Sequence, residues 1–461
     1  MAMAYRPHGA TPGIGLFAIF VFVLVAVPKL NFKLGPVPVY IIDLLILALI
    51  LKALSLPAFR TRRMFSGTVK VILFLALTSE LIGVLTFGTF QDTLYISIRT
   101  CLAFSVFFVT GQMVRTPQDV SVILRAAVLG MLITASLMVL SSLPMTRVLV
   151  VDMVFSNTFL EPAAEGVGAH YSAGDSGVRG RTLVGVSILG ASFINACWPL
   201  AALLLRWPWR LGPVWRGITL AACLLAPMGV VMSYSRGPIL GSLLILLTVL
   251  IYGFKYVRRG ILLPVAVSTT VILAVGISSQ LFFFDRLSNR SQAVLENPFQ
   301  DERESERVLA YVEPFQHVAR KPQFLVLGEG VTVRYSDSWV VPEQAGKATH
   351  ATFAMAYYSY GMLAALLYGA LMLRALHAAG RRARRKYSFT GLLSQSLLLS
   401  AIALLPWVAF GHAPVSTPRG AMLFFLIIGL ISSLANFSEV PRPVKPAKRR
   451  LHAQHRAPAL R

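Results

Sequence analysis

Three stretches of this chain carry side chains suited to an anionic group and a reactive hydroxyl. In the first, Ser233-Tyr234-Ser235-Arg236-Gly237-Pro238 joins two apolar runs with almost no loop. An arginine there is costly to keep near hydrocarbon unless it reaches water or an anion. Gly237 permits a tight turn and Pro238 a pre-set first helical position. Backbone amides of the following helix and the guanidinium could then cradle phosphate, although an arginine snorkelling to lipid headgroups would look the same. In the second, Glu306-Arg307 opens a polar stretch, where a solvated surface pair is the plainer reading. The third is His350, at the head of an apolar run beside Phe353, Tyr357 and Tyr358. Its imidazole could titrate near neutrality and serve as a general base, or simply be structural. Charge also lies inside the apolar runs. Glu80 and Arg99 each stand about eight residues from the short turn around Gly88–Asp92, hence ~12 Å deep at ~1.5 Å per residue. On antiparallel neighbours they can meet as an ion pair, with Asp43 at comparable depth. A structural pair and a cavity-lining Arg99 are both open.

These residues must be positioned by membrane-spanning helices. Of the 461 residues 56% are hydrophobic and only 13% charged, too little charge for the surface of a soluble protein of this length. Many of the apolar runs approach the ~20 residues that cross a hydrocarbon layer. The pattern predicts an all-α polytopic membrane protein of about twelve spans. They fall near 13–28, 37–54, 68–88, 92–113, 120–143, 182–205, 215–233, 238–256, 260–280, 350–374, 388–410 and 418–436. The first run has no convincing cleavage site and reads as a retained span. Cys101, Cys197 and Cys223 all lie in apolar runs, so they read as small hydrophobes and not as a disulfide framework.

The net charge of +24 suggests nucleic acid at first sight, but its distribution argues for topology instead. Basic clusters (Arg60, Arg62 and Arg63; Lys255, Arg258 and Arg259; Arg381 to Lys386; the tail from Arg442) fall in alternate connections. Of 19 acidic residues, only Asp119 and Glu439 fall on that side. This positive-inside pattern predicts both termini in the cytoplasm, anionic lipid headgroups as the secondary partner, and no nucleic acid.

Residues 1–280 thus hold spans one to nine, with an outer loop near 144–180. The large outer loop, 281–349, lies between spans nine and ten and carries eight Lys/Arg against ten Asp/Glu. Spans ten to twelve occupy 350–436, and 437–461 form a basic tail expected to be disordered. Within the large loop Val308, Leu309, Val312, Phe315 and Ala319 recur at helical spacing. They predict an amphipathic helix ended by Pro322 and the Gly328-Glu329-Gly330 turn. A long polar loop on one side of a minimal bundle is where function tends to sit.

In order and spacing these features resemble the bacterial O-antigen ligase and polysaccharide polymerase family of inner-membrane glycosyltransferases. Ser233-Tyr234-Ser235-Arg236-Gly237 looks like the family's short outer motif. Ser305-Glu306-Arg307, His317, Lys321-Pro322 and Leu327-Gly328-Glu329-Gly330 look like its loop signature. His350 and Arg181 stand where the family places a histidine and an arginine before spans, and Pro36 to Asp43 is similar to its Pro/Tyr/Asp opening. Ala351 and Val186 depart from the asparagine and Pro-Asn that many members carry nearby.

The resemblance implies transfer of a glycan from an undecaprenyl-diphosphate carrier to an acceptor hydroxyl at the periplasmic face. Arg236 and Arg307, with Arg181 and Ser235, would hold the departing diphosphate, and His350 would deprotonate the acceptor. Direct displacement would invert the anomeric centre. The chain has no Asp-x-Asp pair, so the expectation is a metal-independent, cofactor-free reaction. The acceptor would be lipid A core in a ligase, or a lipid-linked repeat in a polymerase. A flippase or transporter is the reading from another class.

Overall fold

A computed structural model describes residues 10–27, 31–34, 37–57, 64–87, 90–143, 146, 182–184, 187–206, 211–278, 315–316, 321–330, 352–385, 388–410 and 418–437. Twelve α-helices run through these residues: α1 Ile14–Ala26, α2 Ile41–Ser55, α3 Ser66–Phe87, α4 Phe90–Met113, α5 Pro117–Ser142 and α6 Ser187–Arg206. They continue with α7 Pro213–Met232, α8 Arg236–Tyr252, α9 Lys255–Ser278, α10 Thr352–Ala383, α11 Phe389–Phe410 and α12 Pro418–Ser433. Each overlaps one of the twelve apolar runs in the sequence. Seven of them (α3, α4, α5, α6, α7, α10 and α11) are long and apolar enough to cross a membrane, while α1, α8 and α12 are shorter apolar helices. Nearly all of the loop near 144–180, most of the loop 281–349 with all but two residues of its expected amphipathic helix, and the tail after Phe437 lie outside the described residues.

A helix is the economical fold for such runs, because it pairs every backbone polar group within its own segment. Hydroxyls inside the runs follow the same rule: Thr78, Ser79, Thr110, Ser192, Thr219 and Thr248 each donate to the carbonyl four residues back. Large apolar side chains such as Leu51, Leu54, Phe74 and Leu85 point outward and stay exposed, as a lipid-facing surface requires. At the hub, α6 packs against α5, α7, α8, α9 and α11. Almost all of α6 and α11 is buried, as is every residue of α12 from Arg419 to Ser433.

Two elements differ from the sequence pattern. The second run begins not as helix but as an antiparallel hairpin, β1 Asn31–Leu34 with β2 Val37–Tyr40, in the register Asn31 to Tyr40 and Leu34 to Val37. Pro38 has no N–H to give a helix, and Val39 and Tyr40 favour extended backbone. The tenth run becomes a 32-residue helix with a break at Gly361, whose φ of 86° and ψ of 170° are not helical.

Hydrogen bonds define the two ends of the bundle. At one end, Asp119 accepts from the Thr11 amide and hydroxyl, both at 2.7 Å, and completes a capping box with Thr116. At the same end Arg115 reaches the Pro57 carbonyl, and Ser432 and Arg382 both reach Met64. At the opposite end α1 finishes at Val27 and α12 begins, tied together by the Arg419 guanidinium.

Candidate functional site

The Ser-Arg-Gly turn is built from both sides. Ser233 is fully buried, its hydroxyl bonded to the Val230 carbonyl at 2.6 Å. Tyr234 takes a positive φ of 49°, uncommon for a residue with a Cβ and a way to reverse the chain in one step. The Ser235 hydroxyl donates back to the Ser233 carbonyl at 3.2 Å and makes no capping bond to α8. The helix already begins at Arg236, so Pro238 occupies the third helical position and not the first. It still lies in the first turn, where a missing N–H removes no helical bond. From α6, the fully buried Asn195 donates to the Pro238 carbonyl at 2.6 Å and accepts from the Ser242 hydroxyl at 2.7 Å. These bonds fix the backbone of the first turn of α8. Arg236 itself is exposed.

A second constellation gathers around the break in α10. The segment Lys321–Gly330 enters it backbone to backbone: Glu329 N–H donates to the Tyr358 carbonyl, Gly330 N–H to the Ser359 carbonyl, and Met362 N–H to the Leu325 carbonyl. Gly361 and Gly328 are required here for two reasons. Both have positive φ, 86° and 69°, and a Cβ on either would meet backbone at 2.0 Å (Val326 O) or 2.5 Å (Ser359 C). Ser79 on α3 closes the arrangement, its hydroxyl set against the Leu327 carbonyl.

The Glu329 carboxylate is fully buried, 3.3 Å from Lys321 Nζ and accepting from the buried Tyr358 hydroxyl at 3.1 Å. Buried Glu80 borders the same turn, its Oε2 3.1 Å from where a Gly330 Cβ would be. Phe315 stacks on Tyr357 with ring centroids 4.7 Å apart, so that point of the long connection lies against the start of α10.

The third constellation contains the charge inside the bundle. Arg99 pairs with Asp43, Nε to Oδ2 at 3.8 Å, and donates to the Tyr95 hydroxyl at 2.9 Å. Its guanidinium lies over the Tyr40 ring, 4.4 Å from the centroid, and 5.3 Å from that of Tyr95. Arg419, in the first turn of α12, is near enough to Arg99 and Asp43 to interact with both electrostatically; it is 4% exposed and donates to the Val27 carbonyl at 2.6 Å.

Among the residues singled out from sequence, Asp43 and Arg99 are therefore brought together, whereas Glu80 turns to the Gly328–Gly330 segment. Arg236 and Ser235 stand at the head of α8, which packs mainly on α11 and α6. Arg181, Arg307 and His350 lie outside the described residues. Asn195 and Arg419 went unnoticed in the sequence. Asn195 has no motif around it, but Arg419 was detectable as an arginine directly after Pro418 at the head of the last apolar run.

The fold and composition define a polytopic α-helical membrane protein with ionisable side chains buried within its bundle as well as at its ends. Comparison with protein-family models gives no match, and comparison with curated proteins gives none either.

Proposed function

We propose that the chain is a glycosyltransferase of the bacterial inner membrane, moving an undecaprenyl-diphosphate-linked glycan to an acceptor hydroxyl on the periplasmic face, with lipid A core as the acceptor of an O-antigen ligase. The observation that carries the reading is the exposed Arg236 on a turn pinned by buried Asn195, at the head of an apolar helix. A guanidinium carried on a fixed helix N-terminus, with the N–H donors of the first turn beside it, suits a departing diphosphate, whose charge develops as the glycosidic bond breaks. The docking of Lys321–Gly330 into α10 also supports it, because it ties the connection that carries Arg307 to the helix that follows His350.

In this reading the twelve helices are twelve spans, and both termini are cytoplasmic. Arg236 and Arg307, helped by Arg181 and Ser235, hold the diphosphate while His350 takes the proton of the attacking hydroxyl; the anomeric centre inverts. No metal or cofactor takes part.

The test is transfer by purified protein from a carrier-linked donor. Arg236→Ala, Arg307→Ala and His350→Ala should each abolish transfer without loss of folded protein, and a near-normal rate in any of them removes that residue from its role. A polysaccharide gel from a deletion strain separates the acceptors: uncapped core with accumulated carrier-linked chains means a ligase, and single-repeat caps mean a polymerase. A flippase or transporter is favoured by one observation, the interrupted helix α10, since broken helices line many transport paths. Glycan transfer by purified protein would exclude transport as the sole activity.

A further inference from the structure

We infer that the face of α10 carrying Arg374, His377 and Arg381, with the start of α3 beside it, is a binding site for an anionic phospholipid of the adjoining leaflet. The spacing comes first. Positions 374, 377 and 381 are three and four residues apart, so their side chains lie one above another on one side of the helix. All three are exposed. At ~1.5 Å per residue they cover about 10 Å along the axis, enough to cross a headgroup layer ~5–8 Å deep.

The charge of this face meets no carboxylate. Among the described residues no Asp or Glu pairs with Arg374, His377 or Arg381. Neither α10 nor α11 contains an acidic residue, and the one acid of α3, Glu80, stands toward its far end against Gly330. Of the two acids expected at the basic end, Asp119 is buried in its bonds to Thr11 and Thr116, and Glu439 lies outside the described residues. Arg381 and Arg385 are near enough to Arg382 to repel it electrostatically. Like charges on adjoining helical turns destabilise each other, more so beside hydrocarbon, and an anion between them relieves the repulsion.

The neighbouring helix sets the site in place. Arg374 donates to the Thr68 hydroxyl of α3 at 3.2 Å, and its guanidinium lies 5.8 Å from the centroid of the Phe65 ring. It therefore stands at the seam between the two helices, level with the first turn of α3. His377 and Arg381 follow about 4.5 and 10 Å farther along α10. On the other side of Arg374, Leu363, Leu366 and Leu373 are exposed on the same face of α10. Acyl chains cover these leucines while the phosphate meets the arginines, so a lipid, and not free phosphate, matches both halves of the face. Basic seams between spanning helices hold lipid headgroups in this way. The site is at the opposite end from the Arg236 turn and stands independently of the glycan-transfer reading.

The experiment uses the full chain in neutral detergent. Cardiolipin, phosphatidylcholine and glycerophosphate are titrated separately, and bound probe is counted by native mass spectrometry. The first equivalent of cardiolipin should bind about tenfold or more tighter than phosphatidylcholine, and Arg374→Gln or Arg381→Gln should each weaken it about tenfold, the loss of one charged hydrogen bond. Arg258→Gln and Arg259→Gln remove the same charge from exposed positions in another basic cluster, near the head of α9, and should leave cardiolipin binding unchanged.

Equal weakening in the Arg258 and Arg259 variants would reduce the effect to diffuse basic charge and overturn the inference. Unchanged binding in Arg374→Gln or Arg381→Gln would overturn it as well, as would phosphatidylcholine binding as tightly as cardiolipin. Glycerophosphate binding as tightly as cardiolipin would assign the face to a soluble phosphate and not to a lipid. Arg381 makes no hydrogen bond among the described residues, so Arg381→Gln keeps the test intact if Arg374→Gln, which gives up the Thr68 contact, fails to fold.

Discussion

Arg236 heads α8 and Asn195 braces the first turn of that helix from α6, but the two should respond differently to substitution. Arg236 is exposed, so Arg236→Ala should change unfolding stability by no more than about 0.5 kcal/mol while abolishing transfer. Asn195 is fully buried and makes two hydrogen bonds of 2.6 and 2.7 Å. Asn195→Ala leaves the Pro238 carbonyl and the Ser242 hydroxyl without those partners, at a cost of about 1–3 kcal/mol, and should lower transfer by letting the turn drift. Thermal unfolding in detergent, run beside the transfer assay, separates the two effects. A stable Asn195→Ala with full activity would mean that the turn holds itself. At this scale the arginine was legible and its support was not. A charge bordering an apolar run stands out by its cost, whereas an amide within one looks like any other small polar residue until its partner on another helix is known. The same limit shows at Arg99. Depth along a span was readable and put Glu80 and Asp43 in reach, but the choice of Asp43 depends on how each helix is rotated, which periodicity cannot supply when every face is apolar.

The break in α10 is a property of two elements and not of one. Its Gly361 is held at a positive φ against Val326, while Gly328 is held at a positive φ against Ser359. Gly361→Ala or Gly328→Ala must therefore either push the two backbones apart or accept a strained conformation, costing about 2–4 kcal/mol or the folded state itself. The expected signs are a lower unfolding temperature and faster proteolysis between Lys321 and Gly330. An unchanged cleavage rate would show that the segment is not seated there. The Gly328-Glu329-Gly330 turn was recognisable from composition as a terminator, and its docking was not, because the receiving break belongs to a helix whose own pattern reads as a continuous apolar run. The hairpin Asn31–Tyr40 was missed for a related reason: hydropathy alone does not distinguish an extended apolar segment from a helical one. Asp119 offers a third case. All of its bonds are local or to Thr11, and Asp119→Ala removes the capping box and both Thr11 contacts together. A loss of at least about 1–2 kcal/mol is expected, read by thermal unfolding, with no effect on transfer by the protein that remains folded.

Orientation is settled by the molecule as a whole, and the described structure sharpens how to measure it. Basic side chains concentrate at the end holding Arg115, Arg381 and Arg382, while the Arg236 turn and the Arg99 cluster belong to the opposite end. The bias in Lys and Arg sets which end stays in the cytoplasm, because moving these charges across the bilayer during insertion is unfavourable. Single cysteines can report it with little background: natural Cys197 and Cys223 are buried, and Cys101 is half-buried within α4. Ser235→Cys marks the head of α8, and Arg384→Cys marks the exposed residue just after α10. In intact cells whose outer membrane is opened, a membrane-impermeant maleimide should label Ser235→Cys and spare Arg384→Cys. Both should react once the inner membrane is dissolved. The reverse pattern would put the Arg236 turn in the cytoplasm, where the periplasmic transfer proposed for it could not take place, whatever the activity of the purified protein.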